Sequence, residues 1–232
     1  MITATTSGRE QVAAAVPAST LAPLSVELAC RALDVLLASL ALVVLSPFLV
    51  LIAAAIRIDS RGPVLFRQQR LGRSLAPFTV NKFRTMHQGV SHDIHREFVL
   101  GLIAGEEPPA AHGGPLFKLN GDARVTRVGR FLRRASLDEL PQLWNVLRGD
   151  MSLVGPRPPI PYEVEHYPPH WFARFAVKPG VTGLWQVSGR SQVTLEEMIK
   201  LDLEYAARRS FWLNLWILAR TVPAVLSTRG AS

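Results

Sequence analysis

The sequence has one cysteine, Cys30, in 232 residues. A single thiol excludes an intramolecular disulfide and any multi-cysteine metal site, and leaves Cys30 as a packing residue. A phosphate loop of the G-x-x-x-x-G-K type, a G-x-G-x-x-G turn and a G-x-S-x-G elbow are all missing. Nucleotide binding on a glycine-rich cradle and serine hydrolase chemistry therefore have no support. Internal repeats and low-complexity tracts are also absent. Acid is scarce: 18 Asp and Glu face 26 Lys and Arg, for a net charge of +8. Such an excess favours anionic partners, whether nucleic acid, lipid headgroups or phosphorylated ligands.

A long apolar run decides among these. Val35–Ile56 reads VLLASLALVVLSPFLVLIAAAI without a charge. It points to lipid and phosphate and away from nucleic acid. Its length suffices to span a bilayer, which takes about 20 residues. Two features favour a different geometry. Ser46-Pro47 sits at its centre, where proline removes a backbone donor and crowds the carbonyl of Val43. Arginines flank both ends, Arg31 before and Arg57, Arg61, Arg67 and Arg70 after. Positive charge on both sides favours keeping both ends cytoplasmic. The stretch before Pro47 amounts to ~18 Å of helix, too short to cross ~30 Å of hydrocarbon. A re-entrant helical hairpin broken at Ser46-Pro47 fits both facts, and a kinked span is the alternative.

Three segments follow from this: a flexible tail over 1–23, the membrane helix over 24–58 and a catalytic domain over 59–232. The apolar run begins too late for a secretory signal, so no cleavage is expected. The fold class is mixed α/β and rich in helix. Pro63–Phe66 and Pro77–Phe83 read as extended, with a turn at Leu71-Gly72-Arg73. Residues 88–115 read as a surface loop. Arg124, Arg127, Arg130 and Arg134 recur at helical spacing, although Gly129 weakens a helix there. Pro141 belongs in a first helical turn, which places a cap near Asp138 and a helix through Leu147. Lys178–Arg190 reads as a loop and Leu195–Arg209 as an amphipathic helix. Phe211–Leu226 sets Trp212 and Trp216 beside Arg220, which suits an interfacial amphipathic helix or a core helix equally.

The chemistry concentrates in Asp138-Glu139. Two adjacent acids stand between an arginine-dense approach and the stiff turn Gly155-Pro156-Arg157-Pro158. Cations there suit a phosphorylated substrate, and acids supply a nucleophile or a metal ligand. Asp138 also suits a helix cap. Prolines on both sides of Arg157 pre-place its guanidinium for a grip on phosphate. Lys82, Arg84, Arg124 and Arg133 are further candidates for phosphate or nucleotide contact. His92-Asp93-x-His95, with His87 nearby, imitates a metal cluster but lies in loop-like sequence, and these side chains are read as solvated.

These motifs, taken in order, resemble the polyprenyl-phosphate glycosyl-1-phosphate transferases, the bacterial sugar transferases, in their small form. The resemblance runs through Ser46-Pro47, Gly62–Gln68, Lys82–Met86, Arg130–Arg133, Ser136–Leu143, Asn145–Pro158 and Lys178–Gly183. It implies transfer of a sugar-1-phosphate from a UDP-sugar to undecaprenyl phosphate, at the start of exopolysaccharide assembly. It also implies Asp138 as covalent nucleophile and Glu139 as its partner, with both as ligands of Mg2+. The implied location is the cytoplasmic face of the inner membrane, on a re-entrant hairpin marked by Arg31, Ser46 and Pro47. Glucose and galactose are the favoured sugars, and a homo-oligomer is left open. Asn81, Ala123 and Asn214 depart from the usual pattern without touching the acid pair. A non-enzymatic membrane adaptor, with Asp138 only capping a helix, is the competing function.

Overall fold

The structure is a computed structural model that describes residues 22–89, 93–103, 124–189 and 193–226, together with Val12. It opens with helix α1 (Leu24–Asp59). The helix runs through Ser46-Pro47 as one assigned element, so two separate arms are not seen. The reason is local. Pro47 has no N–H for the carbonyl of Val43, and the Ser46 hydroxyl donates to that same carbonyl at 2.8 Å. A side chain thus replaces the missing backbone donor.

One stripe of α1 is buried: Cys30, Asp34, Ala38, Ile52 and Ile56. The opposite side leaves Leu36, Leu40, Val43, Val44, Val50 and Leu51 exposed. Among the described residues it is the one helix long and apolar enough to cross a membrane. Both of its ends are nonetheless tied to the globular part. Near the start, Arg31 donates to the carbonyls of Val146 and Leu147, and Asp34 accepts from the Leu153 amide at 2.9 Å. At the far end, Asp59 accepts from the Val128 amide at 3.0 Å.

An antiparallel hairpin follows, β1 (Leu65–Leu71) with β2 (Pro77–Phe83), from Leu65 opposite Phe83 to Leu71 opposite Pro77. The turn between them contains a short 3-10 stretch, Arg73–Leu75, in which Ser74 and Leu75 both take positive φ. Helix α2 (Asp93–Ile103) occupies part of the expected loop, built on apolar residues at helical spacing. The rest of that loop falls largely outside the described residues, as does His92. Helix α3 (Arg127–Arg134) starts at Thr126, whose hydroxyl accepts from the Gly129 amide. Gly129 belongs there because a Cβ would lie 2.2 Å from the carbonyl oxygen of Thr85. The glycine that weakened the helix in sequence is what allows it to lie on the end of β2.

Helix α4 (Gln142–Arg148) begins after Pro141, which occupies the cap position. The cap expected near Asp138 is corrected by this. Asp138 lies instead in a separate 3-10 turn, Leu137–Glu139. Strands β3 (Ser152–Val154) and β4 (Gly180–Thr182) pair in parallel. Between them lie α5 (Pro161–Val164) and the 3-10 stretch Pro169–Ala176. Helix α6 (Leu184–Ser188) follows β4, so the segment read as a loop carries a strand and a helix. Helix α7 (Leu195–Arg208) opens with a reciprocal capping box between Thr194 and Glu197. Helix α8 (Phe211–Leu226) closes the chain's described part. It buries Asn214 and Ile217 and exposes Trp212 and Trp216, so both readings of this helix describe one of its faces.

Three apolar clusters hold these parts. Ala38 of α1 joins Val80, Val146, Val154, Tyr205 and Ile217. Ile52 and Ile56 join Phe83 and Leu132. Leu71, Tyr167, Trp171, Phe175, Met198 and Ile199 form the third. The long helix thus contributes to two cores, one near each end.

Candidate active site

Asp138 and Glu139 stand on the 3-10 turn Leu137–Glu139. Ser136, just before it, sits in the left-handed region at φ 55°. A non-glycine residue there costs on the order of 1 kcal/mol. Asp138 is nearly buried, at 9% exposure. Leu137 and Leu140 on either side pack into the cluster of Ile52, Ile56 and Leu132. The apolar flanks of the acid pair therefore set its position against α1.

Strand β2 supplies the first cation. Lys82 Nζ lies 2.8 Å from Glu139 Oε1, and both side chains are partly exposed. Phe66, Gln68 and Arg70 stand opposite Lys82, Val80 and Phe78, so Lys82 and Arg70 share one face of the hairpin. Arg70 donates to the Pro158 carbonyl at 2.8 Å, inside the proline-bracketed turn. Burial, then the like charge of Arg157, pushes Arg70 down to about 10, with Glu163 and Glu139 pulling the other way. Glu139, Arg70 and Arg157 thus belong to one electrostatic neighbourhood.

Arg157 is held from behind. Its guanidinium meets the carboxylate of Glu163 at 3.1 Å, and Glu163 is 1% exposed. Burial pushes Glu163 up, but Arg157 and then Arg70 outweigh it and hold the carboxyl below its ordinary range. Burial likewise opposes the charge on Arg157, and Glu163 more than offsets this. Tyr167 donates to Glu163, and Arg174 reaches both the Tyr167 hydroxyl and the Arg157 carbonyl. Arg174 ends on Asp202, an ion pair with both side chains 1% exposed. Close backbone passage supports this turn from the other side, since a Cβ on Gly155 would lie 2.4 Å from the Lys178 carbonyl oxygen.

The remaining expected cations divide. Arg133 Nε donates to Thr85 Oγ1 at 2.8 Å, beside the end of β2. Arg124 precedes α3, and its carbonyl accepts from the His87 amide. Arg84 is buried and donates to the carbonyls of Ser60 and Arg61 and to the Ser60 hydroxyl. Its bonds secure the exit of α1 and not an open phosphate site. Gly62 makes room for it, because a Cβ there would lie 2.1 Å from Arg84 Nη1. Asn81, one of the departures, bonds Asn145 Oδ1 through its amide and side chain. Asn214 accepts from the Tyr205 hydroxyl at 2.9 Å.

Sequence reasoning singled out Arg157 but missed Glu163, Tyr167, Arg174 and Asp202, which position it. Arg70 entered only as flanking charge. The available signal was strand alternation, which places Arg70 and Lys82 on one face of the hairpin.

A carboxylate pair, with Lys82 and Arg70 on the Glu139 side, is mounted against a long apolar helix. The chain belongs to the bacterial sugar transferase family, which it matches over residues 26–228. It is 43% identical over 223 residues to the UDP-glucose:undecaprenyl-phosphate glucose-1-phosphate transferase of Caulobacter vibrioides, covering 93% of this chain and 76% of that protein. It is 40% identical over 204 residues to the exopolysaccharide production protein ExoY of Rhizobium meliloti, with 88% of each chain covered. The undecaprenyl-phosphate galactose phosphotransferase of Salmonella typhimurium is 40% identical over 201 residues, which span 87% of this chain and 41% of that one. The chain is accordingly an enzyme, a phosphoglycosyl transferase, and the adaptor reading is set aside.

Proposed function

We propose that this enzyme transfers hexose-1-phosphate, glucose or galactose, from a UDP-sugar to undecaprenyl phosphate and so starts assembly of an exopolysaccharide. The observation that carries this reading is the near-buried Asp138-Glu139 turn beside Lys82, Arg70 and the braced Arg157. Asp138 is the nucleophile. Its carboxylate oxygen attacks the sugar-linked phosphorus, the bond from that phosphorus to the bridging oxygen breaks, and UMP leaves with the electron pair. An oxygen of undecaprenyl phosphate then attacks the phosphoaspartyl group, a new diphosphate bond forms, and the Asp138 carboxylate is regenerated. Arg157 and Lys82 neutralise the phosphate oxygens, without which an anionic carboxylate would be repelled. Arg124 and Arg133 extend the cationic surface toward the nucleotide.

The donor set suits magnesium. Mg2+ takes one or two protein carboxylates and fills its shell with water and substrate phosphate. Asp138 and Glu139 offer such a pair, and Glu139 already faces a cation. Bound there, magnesium would neutralise charge on the donor's diphosphate. An assay of UMP release with detergent-solubilised protein, undecaprenyl phosphate and a panel of UDP-sugars tests the whole reading. Release is expected with UDP-glucose or UDP-galactose, limited to about one equivalent per enzyme without acceptor and continuing past it only when undecaprenyl phosphate is present. No release with any UDP-sugar would overturn the reading.

The exposed side of α1 lies in lipid, and each buried Leu or Val there adds about 1.5–3 kcal/mol of anchoring. Tethering of both helix ends to one domain supports entry and exit by a single face, with Ser46-Pro47 deepest. The catalytic domain then sits on the cytoplasmic face of the inner membrane, with Trp212 and Trp216 of α8 in the headgroup layer. Single cysteines introduced at Thr20 and Gln69 should be labelled by impermeant reagent from the same side. Labelling from opposite sides would replace the hairpin by a span.

A further inference from the structure

Away from the acid pair, a second cationic cluster surrounds the start of α1. Arg31, Arg73, Lys178 and Arg209 converge there, and among the described residues Glu27 and Asp34 are the acids set against them. Glu27 is divided between Arg73 at 3.0 Å and Arg209 at 3.6 Å. Asp34 is turned inward to the Leu153 amide. Lys178 is half-buried, yet its ammonium makes no hydrogen bond or ion pair among the described residues. Burial, then the like charge of Arg31, lowers its pKa, with Asp34 opposing and Arg73 and Arg209 adding to the shift. Four cations against two carboxylates leave the cluster short of negative charge, and Lys178 Nζ, which the fold does not seal off, can meet an anion from outside.

The geometry indicates what would fill it. The point beside Gly149 where a Cβ would stand is 3.6 Å from Arg31 Nη2 and 3.6 Å from Lys178 Nζ. Arg31 stays bonded to the Val146 and Leu147 carbonyls, which leaves it one further N–H on Nη2. An oxygen bridging at about 2.8 Å to each cation would be met mainly by movement of the Lys178 side chain. On α1, Leu24 and Leu28 precede Arg31 by seven and three residues and share its face. They are 71% and 62% exposed. Cations at the root of an apolar strip match a phospholipid: phosphate on the cations, acyl chain along the leucines. Helix α4, about 10 Å long, separates Gly149 from the Asp138 turn, so occupancy leaves the acid pair open.

We propose that Arg31, Lys178 and the neighbouring Arg73 and Arg209 bind the phosphate of an anionic phospholipid beside the start of α1. This rests on the membrane association proposed above, which incorporation into phosphatidylcholine nanodiscs tests separately. The protein is compared by tryptophan fluorescence in nanodiscs of phosphatidylcholine alone or mixed with phosphatidylglycerol. Wild type should unfold about 3 °C higher with phosphatidylglycerol, as expected for a ligand that binds only the folded state. Lys178→Gln should lose that increment and Lys178→Arg should keep it. Native mass spectrometry should find phosphatidylglycerol retained on wild type in preference to phosphatidylcholine, a readout that needs no variant to fold. An undiminished increment in Lys178→Gln overturns the proposal, as does the absence of preferential retention. An equal increment from inorganic phosphate in phosphatidylcholine discs would reduce the site to a free-anion site and overturn the lipid.

Discussion

Asp138→Asn is expected to give a folded, membrane-bound protein whose activity falls by on the order of 10³-fold or more. Asparagine matches aspartate in size, so the 3-10 turn and the packing of Leu137 and Leu140 should survive. What disappears is the charge and the nucleophilic oxygen. The decisive measurement is trapping. With radiolabelled UDP-sugar and no lipid acceptor, label should remain on wild type and not on the variant. Glu139→Gln tests the neighbouring role differently: it should slow turnover and weaken the dependence on magnesium, while label is still trapped. Label retained by Asp138→Asn, or turnover near that of wild type, would assign the nucleophile elsewhere and leave Asp138 as part of a tight turn.

Arg174→Met should be the most destabilising change outside the acid pair, by about 3–5 kcal/mol, because it strands a buried carboxylate. Burial already pushes Asp202 up to about 6 against the pull of Arg174, so removing the guanidinium leaves the charged form with little support. For a domain of this size the loss corresponds to an unfolding temperature lower by about 10 °C or more. Adding Asp202→Leu should recover part of it, since two apolar groups avoid the stranded charge. Recovery should stay incomplete because Arg174 also donates to the Arg157 carbonyl at 2.8 Å. The double variant should therefore be folded but raise KM, as the proline-bracketed turn loses its brace. A single variant as stable as wild type would show that the pair carries no net weight.

Much of the outline was legible in the chain itself. The charge-free run Val35–Ile56 identified the long apolar helix because apolar length is a local property. Pro77–Phe83, Leu195–Arg208 and Phe211–Leu226 were readable from residue type, capping and period, all of which act within a few residues. The acid pair and its cationic approach stood out because charge of opposite sign is rare in so basic a segment. Where the reading failed, distant contacts had outweighed local preference. Gly129 argued against a helix until the backbone of Thr85 was seen to need its missing side chain. Pro141 drew the expected cap onto Asp138, whereas packing of Leu137 and Leu140 created a separate turn.

Composition and motif order alone determined that this is a basic sugar transferase with one long apolar helix, and singled out Asp138-Glu139 as its candidate centre. Tertiary structure decided which cations reach that centre and which do not. Arg84 and Arg157 look equally available in the sequence, yet one is committed to the exit of α1 and the other is aimed by a buried carboxylate. The difference lies in partners: Ser60 and Arg61 reach Arg84 from the end of α1, whereas Glu163 lies six residues beyond Arg157 and is itself braced through Tyr167 and Arg174, which Asp202 meets only when the fold closes. A guanidinium takes its role from the acceptors that reach it, and acceptors brought in from distant segments leave no periodic mark in sequence.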